Sequence, residues 1–238
     1  FRTHGAAVHG QIIRQLLAVK RDLEGPPACL LLLSRKVAEQ LFPSGATGQM
    51  ADVYIKTPNA YNITDIDHPL LAGKATSEIE YITYWKQKQL PSLPRGSQII
   101  DAKLSLYCRN FTGHLQDNKT SSVLGAYQVT TDWDDTLTWD KFIAGQNGTL
   151  SEIQDFAQLS LSLGTGTYYS WNISELVRKW YSGTKNYGVA IRAVDEPGAF
   201  VEFASSGSKN HFPRFAIQYK VVNGLEDYWS YSSHSAAN

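Results

Sequence analysis

The sequence predicts a mainly β protein, an antiparallel β-sandwich or jelly roll with one short helix, preceded by a short helical N-terminal segment. Several short stretches alternate apolar and polar residues, which is the period of a half-buried strand. Clusters of turn-forming residues separate these stretches. The aromatic residues are unevenly distributed, since 26 of the 28 follow residue 50.

The strand pattern is clearest at 102–108, where Ala102, Leu104, Leu106 and Cys108 occupy alternate positions. Further short runs predict strands at 52–55, 124–131, 167–173, 189–193, 200–204 and 215–221. Many short strands with glycine-rich turns and little helix favour a sandwich or jelly roll over a parallel sheet.

One helix is predicted inside the β region. Its apolar residues recur at i, i+3, i+4 and i+7, which places them on one helix face: Ile173, Leu176, Val177 and Trp180. Asn172 is expected to cap the first turn, with Glu175 reaching back as in a capping box. Gly183 suits the left-handed residue beyond the end. We expect this helix to close one end of the sandwich.

Residues 1–50 differ from the rest in charge, +3 against −3 for the remainder. Apolar residues spaced by three and four predict a helix over 8–23, which Gly25, Pro26 and Pro27 end. A second helix is predicted over 29–42. This leader is interpreted as a helical hairpin, as a basic amphipathic helix for a membrane surface or a partner, or as a segment foreign to the following domain. The expected organisation is a leader at 1–50, a sandwich at 51–222 and a linker at 223–238.

The composition argues against several classes of protein. The zero net charge provides no basic surface for nucleic acid over the whole chain. The longest apolar run, 28–33, is far shorter than a membrane span. Two cysteines cannot form a disulfide-dense scaffold or a four-thiolate zinc site. The chain begins with Phe1 and is expected to be a fragment or a processed product.

A series of motifs in the β region resembles DNRLRE-type domains. The first is LPRGSQIIDAKLSLY at 93–107, followed by YQVTTDW at 127–133 and LTWD at 137–140. WNISELVRKW at 171–180, NYGVAI at 186–191, FASS at 203–206 and PRFAIQY at 213–219 complete the series. The resemblance covers roughly 52–221. The family's basic middle motif is poorly matched, because EIEYITY occupies its place at 78–84.

This resemblance implies a β-jelly-roll accessory module that is not an enzyme. Some domains of this type are regarded as carbohydrate-binding modules. The tail, NGLEDYWSY at 223–231, resembles the junction that precedes RHS/YD repeats in large secreted or wall-associated bacterial proteins. The implied role is adhesion, assembly or carbohydrate binding, outside the cell or at its wall. The implied partners are a cell-surface or wall glycan and downstream repeats of the same polypeptide.

Aromatic side chains are the candidate sugar-binding groups, because their faces stack on pyranose rings. Tyr84, Trp85, Trp133 and Tyr187 are the leading candidates, and Tyr61 and Tyr168 are also considered. These residues are considered as exposed side chains, and Tyr84 and Trp85 precede the polar stretch KQKQ at 86–89, which is expected to face solvent. The alternative is that most of these aromatic side chains fill the core of the sandwich or cover turns.

An acidic cluster suggests calcium as a possible cofactor. Asp132, Asp134 and Asp135 lie close together in the sequence, and calcium prefers several hard oxygen ligands on a flexible loop. The spacing does not match an EF-hand, so turn formation by these aspartates is the alternative. Asp52 and Asp195 are considered as further ligands from strand ends.

Two other functions remain open. A polysaccharide-degrading enzyme would need two carboxyl groups about 5–10 Å apart across a cleft. The candidates for such a pair are Asp101, Asp134, Glu175 and Glu202, and no motif distinguishes them. The other alternative is a purely structural interaction module.

Overall fold

The computed structural model describes residues 50–57, 69–113, 121–160, 165–194, 197–208, 210–222 and 226–233. Nearly all of the predicted leader therefore lies outside the described residues. The described chain contains β1 (Met50–Lys56), β2 (Leu70–Lys74), β3 (Glu80–Gln87), β4 (Ser97–Gly113), β5 (Ser121–Val129), α1 (Trp139–Ile143), β6 (Leu150–Ser160), β7 (Thr167–Asn172), α2 (Ser174–Tyr181), β8 (Val189–Ala193), β9 (Ala199–Phe203), β10 (Arg214–Val222) and β11 (Glu226–Ser233). Neither helix is long and apolar enough to cross a membrane.

The strands form one curled antiparallel sheet in the order β11-β10-β4-β9-β2-β3-β8-β5-β6, with β1 on β3 and β7 on β4. The 17-residue strand β4 pairs first with β10 and then with β9 along one edge, and with β7 along the other. Likewise, β3 carries β1 on one edge and β2 and β8 on the other. Because these two strands change partners along their length, the sheet folds over and encloses a core. The predicted sandwich or jelly-roll class is confirmed.

The main core lies between the two halves of the curled sheet. The alternate residues predicted on β4, from Ala102 to Cys108, are all 0–1% exposed within it. Trp171 on β7 is fully buried, and its indole Nε1 donates to the carbonyl oxygen of Leu124 on β5 at 2.9 Å. Since β7 pairs with β4 whereas β5 pairs with β6 and β8, this bond joins the two halves.

A second, smaller core covers the other face of β1, β3 and β8. Val53, Ile82 and Tyr84 point into it from the sheet, and Trp133 and Leu137 cover them from the loop after β5. This loop contains α1, whose N-cap Thr138 accepts a hydrogen bond from the backbone N–H of Lys141. The prediction of a single helix in this domain missed α1, because only five residues form it.

The helix α2 occupies the predicted place, with Leu176, Val177 and Trp180 buried. Its cap differs from the prediction, since Ile173 is the N-cap and has no side-chain hydrogen bond. The Asn172 Oδ1 instead accepts the backbone N–H of Ser174 at 2.9 Å. Glu175, in the first turn, pairs with Arg178, and no hydrogen bond from its side chain back to Asn172 is present among the described residues.

Four strands were not predicted, namely β2, β3, β6 and β11. The burial of β3 explains its omission, because Ile82, Thr83, Tyr84 and Trp85 are all 0% exposed. A strand buried on both faces reads as a continuous apolar run without alternation. The structure also differs from the expected linker at 223–238, since Glu226–Ser233 forms β11 and pairs with β10.

We expect Trp171→Phe to lower the free energy of unfolding by about 2–4 kcal/mol, because it creates a void and leaves the Leu124 carbonyl without its donor. Urea unfolding measures this loss. Trp139→Phe is the matched control, since Trp139 is only half-buried and lies outside the main core. Equal losses in the two variants would contradict a bridging role for Trp171.

Candidate functional site

An open cleft of about 420 Å³ lies at one end of β3. Three segments form it: the end of β3 with the residues after it, the start of the loop after β5, and the connection between α2 and β8. Its lining is polar apart from one aromatic ring: Lys86, Lys88, Asp132, Lys185, Asn186 and Tyr187. A concave surface with polar groups and an aromatic side chain suits a hydroxylated ligand.

Hydrogen bonds hold the three segments together. The Trp133 indole Nε1 donates to the Tyr187 carbonyl oxygen at 2.6 Å. The Asn186 Nδ2 donates to the Gln87 carbonyl oxygen at 2.7 Å, and its Oδ1 accepts the Gly188 N–H at 3.0 Å. The cleft is therefore fixed before any ligand arrives.

The charges of the cleft are unequal in number, with three lysines against one aspartate. Lys86 Nζ lies 2.9 Å from Asp132 Oδ1 and 2.9 Å from the Trp133 carbonyl oxygen. The hydrogen bond from Lys86 is the main cause of the lowered pKa of Asp132. Lys88 and Lys185 are exposed and form no ion pair with the residues that the structure describes. The surplus positive charge therefore rests on these two side chains.

The structure corrects the expected exposure of three of the four leading aromatic candidates. Tyr84 and Trp85 are 0% exposed and Trp133 is 3% exposed. Because β3 has partner strands on both edges and a core on each face, Tyr84 packs in the second core and Trp85 in the main one. None of these three rings offers a face to a sugar. Tyr187 is half-buried and lines the cleft, and Tyr61 lies outside the described residues.

The structure places the three predicted calcium ligands on the loop after β5. Asp132 is paired with Lys86, and Asp134 Oδ1 accepts the backbone N–H and the hydroxyl of Thr136 at 2.8 and 2.6 Å. These bonds from Thr136 lower the pKa of Asp134. Among the described residues, no group of three or more His, Cys, Asp or Glu side chains could hold a metal ion. Calcium binding here stays a prediction without support from this geometry.

The four carboxylates considered for catalysis each have a different polar partner. Asp101 accepts from the Ser174 hydroxyl at 3.1 Å, and Glu202 lies 3.7 Å from Arg109 Nε. Asp134 binds Thr136, and Glu175 binds Arg178. Of the candidate residues proposed from the sequence, Tyr187 and Asp132 line the cleft, and their predicted sugar-binding and calcium-binding roles stay predictions. Lys88, Lys185 and Asn186 were not proposed, because their proximity depends on contacts between distant segments.

Of the two further ligands considered, Asp195 lies outside the described residues, and Asp52 lies on β1 and is half-buried. Its Oδ2 accepts the backbone N–H of Ser206 at 2.6 Å. Loss of hydration raises the pKa of this carboxyl from 3.8 to about 6, although the Ser206 bond and the charge of Lys88 oppose the increase. The ionised form is therefore less favourable in the folded chain than in the unfolded one.

We expect Gly188→Ala to destabilise the domain by about 2–4 kcal/mol, since an added Cβ is incompatible with both the backbone and the space. Gly188 has a φ of +86°, and its Cβ would lie 2.2 Å from the Trp85 carbonyl oxygen. Gly183→Ala is the control, because Gly183 has a φ of +104° but open space around it. A smaller loss of about 1 kcal/mol is expected there. Urea unfolding measures the free energy of unfolding of both variants. Equal losses would contradict a steric clash between the added Cβ at position 188 and the Trp85 carbonyl oxygen.

Asp52→Asn should change how stability depends on pH. Because the folded pKa of about 6 exceeds 3.8, the wild-type protein loses stability as pH rises between these values and stays at the lower level above them. The amide oxygen of the variant side chain can still accept the hydrogen bond from the Ser206 backbone N–H, but the side chain carries no charge. The variant should therefore be more stable than wild type above pH ~7, by on the order of 2 kcal/mol, and no more stable below pH ~4.

Urea unfolding at several pH values measures this difference, with Asp134→Asn as the control. Asp134 is exposed and its pKa is shifted downward, so its amide variant should gain no stability above neutral pH. A constant difference between wild type and Asp52→Asn across the pH range would refute the assignment to Asp52.

Comparison with known proteins gives one family match. The model of carbohydrate-binding module family 96 matches residues 47–219, which include nearly the whole curled sheet and every residue that lines the cleft. No curated protein matches the chain. The match supports the expected carbohydrate-binding β domain and agrees with a binding role rather than a catalytic one. Because this model covers most of its length, the chain belongs to carbohydrate-binding module family 96.

Proposed function

We propose that this domain binds a glycan in the cleft lined by Lys88, Lys185 and Tyr187. The observation that carries the proposal is the combination of two exposed lysines with one aromatic ring in a concave surface of a carbohydrate-binding domain. The Tyr187 ring can contact the apolar face of a sugar. The ammonium groups can donate to its oxygens.

The charge of the cleft favours a glycan with carboxylate or sulfate groups. Lys86 is neutralised by Asp132, whereas Lys88 and Lys185 are exposed without an ion pair in the described part of the chain. An acidic polysaccharide would provide the missing negative charge, and its attraction should weaken with salt. A neutral glycan would use only the hydrogen-bonding capacity of the same side chains.

The wider context follows from the resemblance to DNRLRE-type domains. We infer a non-catalytic accessory module of a larger RHS-like surface protein, located outside the cell or at its wall. In that setting the domain would hold the longer polypeptide on a surface or wall glycan. The family match is compatible with this role, since carbohydrate-binding modules typically act outside the cell.

Affinity electrophoresis in native gels tests the cleft with three soluble polysaccharides: polygalacturonate, chondroitin sulfate and neutral hydroxyethylcellulose. We expect the acidic polymers to retard the protein more than the neutral one. The double variant Lys88→Ala/Lys185→Ala should bind the acidic polymers roughly 10-fold more weakly, because it removes both free charges.

The matched control is Lys56→Ala/Lys74→Ala, which removes the same charge from β1 and β2, away from the cleft. It should bind like the wild-type protein at about 0.15 M salt, where distant charges are screened. If both double variants bound the acidic polymers equally weakly, binding would depend on the net charge of the protein rather than on the cleft. Retardation by none of the three polymers would overturn the proposed function.

A further inference from the structure

Four side chains form a compact group on the outer face of β4, β7 and β10, and we call it the outer patch: Tyr107, Tyr168, His211 and Arg214. Tyr107 and Tyr168 are directly opposite each other on β4 and β7, with ring centres 5.2 Å apart. His211 is exposed and the other three are partly exposed. The cleft, by contrast, is formed by the end of β3 and two loops, and no residue belongs to both.

His211 is held flat against Tyr107. The two rings are almost parallel, at an interplanar angle of 7° and a centre-to-centre distance of 3.9 Å. His211 has a φ of +62°, the one positive value at a non-glycine residue in the described chain. This backbone conformation is uncommon outside glycine, although histidine adopts it more readily than most residues. One ring face therefore covers Tyr107, and the residue as a whole remains exposed.

Arg214 adds a cation to the same group. Its Cζ lies 3.8 Å from the centre of the Tyr168 ring. Its Nε is buried and its N–H has no hydrogen-bond acceptor among the described residues, and the guanidinium forms no ion pair there. Next to it, the hydroxyls of Ser105 and Ser170 bond to each other at 2.7 Å, and Ser170 is exposed. The exposed His211 ring thus lies close to small polar groups and to Arg214, a cation that contacts the Tyr168 ring and has no carboxylate partner among the described residues.

The geometry points to a second carbohydrate-binding site at the outer patch. A pyranose ring would stack on the outward face of His211, as sugars do on flat aromatic surfaces. A carboxylate or hydroxyl oxygen of the same glycan would accept from the Arg214 guanidinium. This inference rests on the proposed function for the class of ligand, but it concerns separate residues and can fail or succeed alone. With two sites, one polymer chain could bind the domain at both.

The test uses the full chain with polygalacturonate and starts from the cleft variant Lys88→Ala/Lys185→Ala. Two substitutions are added separately, His211→Gly and Arg214→Gln. Glycine fits the φ of +62°, so the first substitution removes the ring without straining the backbone. Each should weaken the residual binding roughly 3- to 10-fold in affinity electrophoresis. Gln218→Ala is the control on the same strand β10, outside the patch, and should have no effect.

A second measurement observes the patch directly. The imidazole signals of His211 are assigned by their loss in the NMR spectrum of His211→Gly. They should shift as polygalacturonate is added to the cleft variant, because a sugar ring stacked on the imidazole changes its magnetic environment. This readout also covers the case in which Arg214→Gln fails to fold.

Each outcome has a separate meaning. Unchanged binding in both patch variants together with unshifted His211 signals would overturn the second site and leave the cleft intact. Loss of binding in the patch variants, with full binding in Lys88→Ala/Lys185→Ala, would support the patch and remove the cleft. Absence of binding by the wild-type protein to all three polysaccharides would overturn both.

Discussion

The pairing of β4 with three strands is the constraint on which the rest of the domain depends. A 17-residue strand cannot remain flat while it pairs with β10, β9 and β7, so it turns from one half of the sheet to the other. Its inward residues, Leu104 and Leu106 among them, fill the main core, while Tyr107 faces outward. Burial on one face of β4 thereby determines what the opposite face displays. The outer patch is a result of the same alternation that forms the core.

The predictable parts of the structure are those where local pattern and burial agree. β4 was predicted because apolar and more polar positions alternate along it, and α2 because its apolar residues lie on one helix face. β3 could not be recognised in this way, since Tyr84 and Trp85 are next to each other and both are buried on opposite faces. Proximity to the polar stretch at 86–89 gave the wrong expectation of exposure. Lys86 and Lys88 in that stretch line the cleft, while Gln87 between them is 0% exposed.

The cleft was only partly predictable for a different reason. Asp132 and Tyr187 could be proposed because their residue types suit metal or sugar binding. Their partnership with Lys88 and Lys185 depends on contacts between segments that are far apart in sequence, which no local pattern encodes. The ion pair between Lys86 and Asp132 could not be read from the acidic cluster alone. Through this pair, Asp132 also affects the charge of the cleft.

The hydrogen bond from Trp133 to the Tyr187 carbonyl has a consequence for how the cleft could diversify. It fixes the cleft through the buried indole of Trp133 and a backbone atom of Tyr187. The residues at positions 88 and 185 are exposed and are not part of this support. Their replacement would alter ligand preference at little cost in folding stability, because surface substitutions of this kind usually have small effects. If the proposed function holds, the domain separates the residues that maintain its shape from those that would select its ligand, and its specificity could change over evolution while its architecture stays constant.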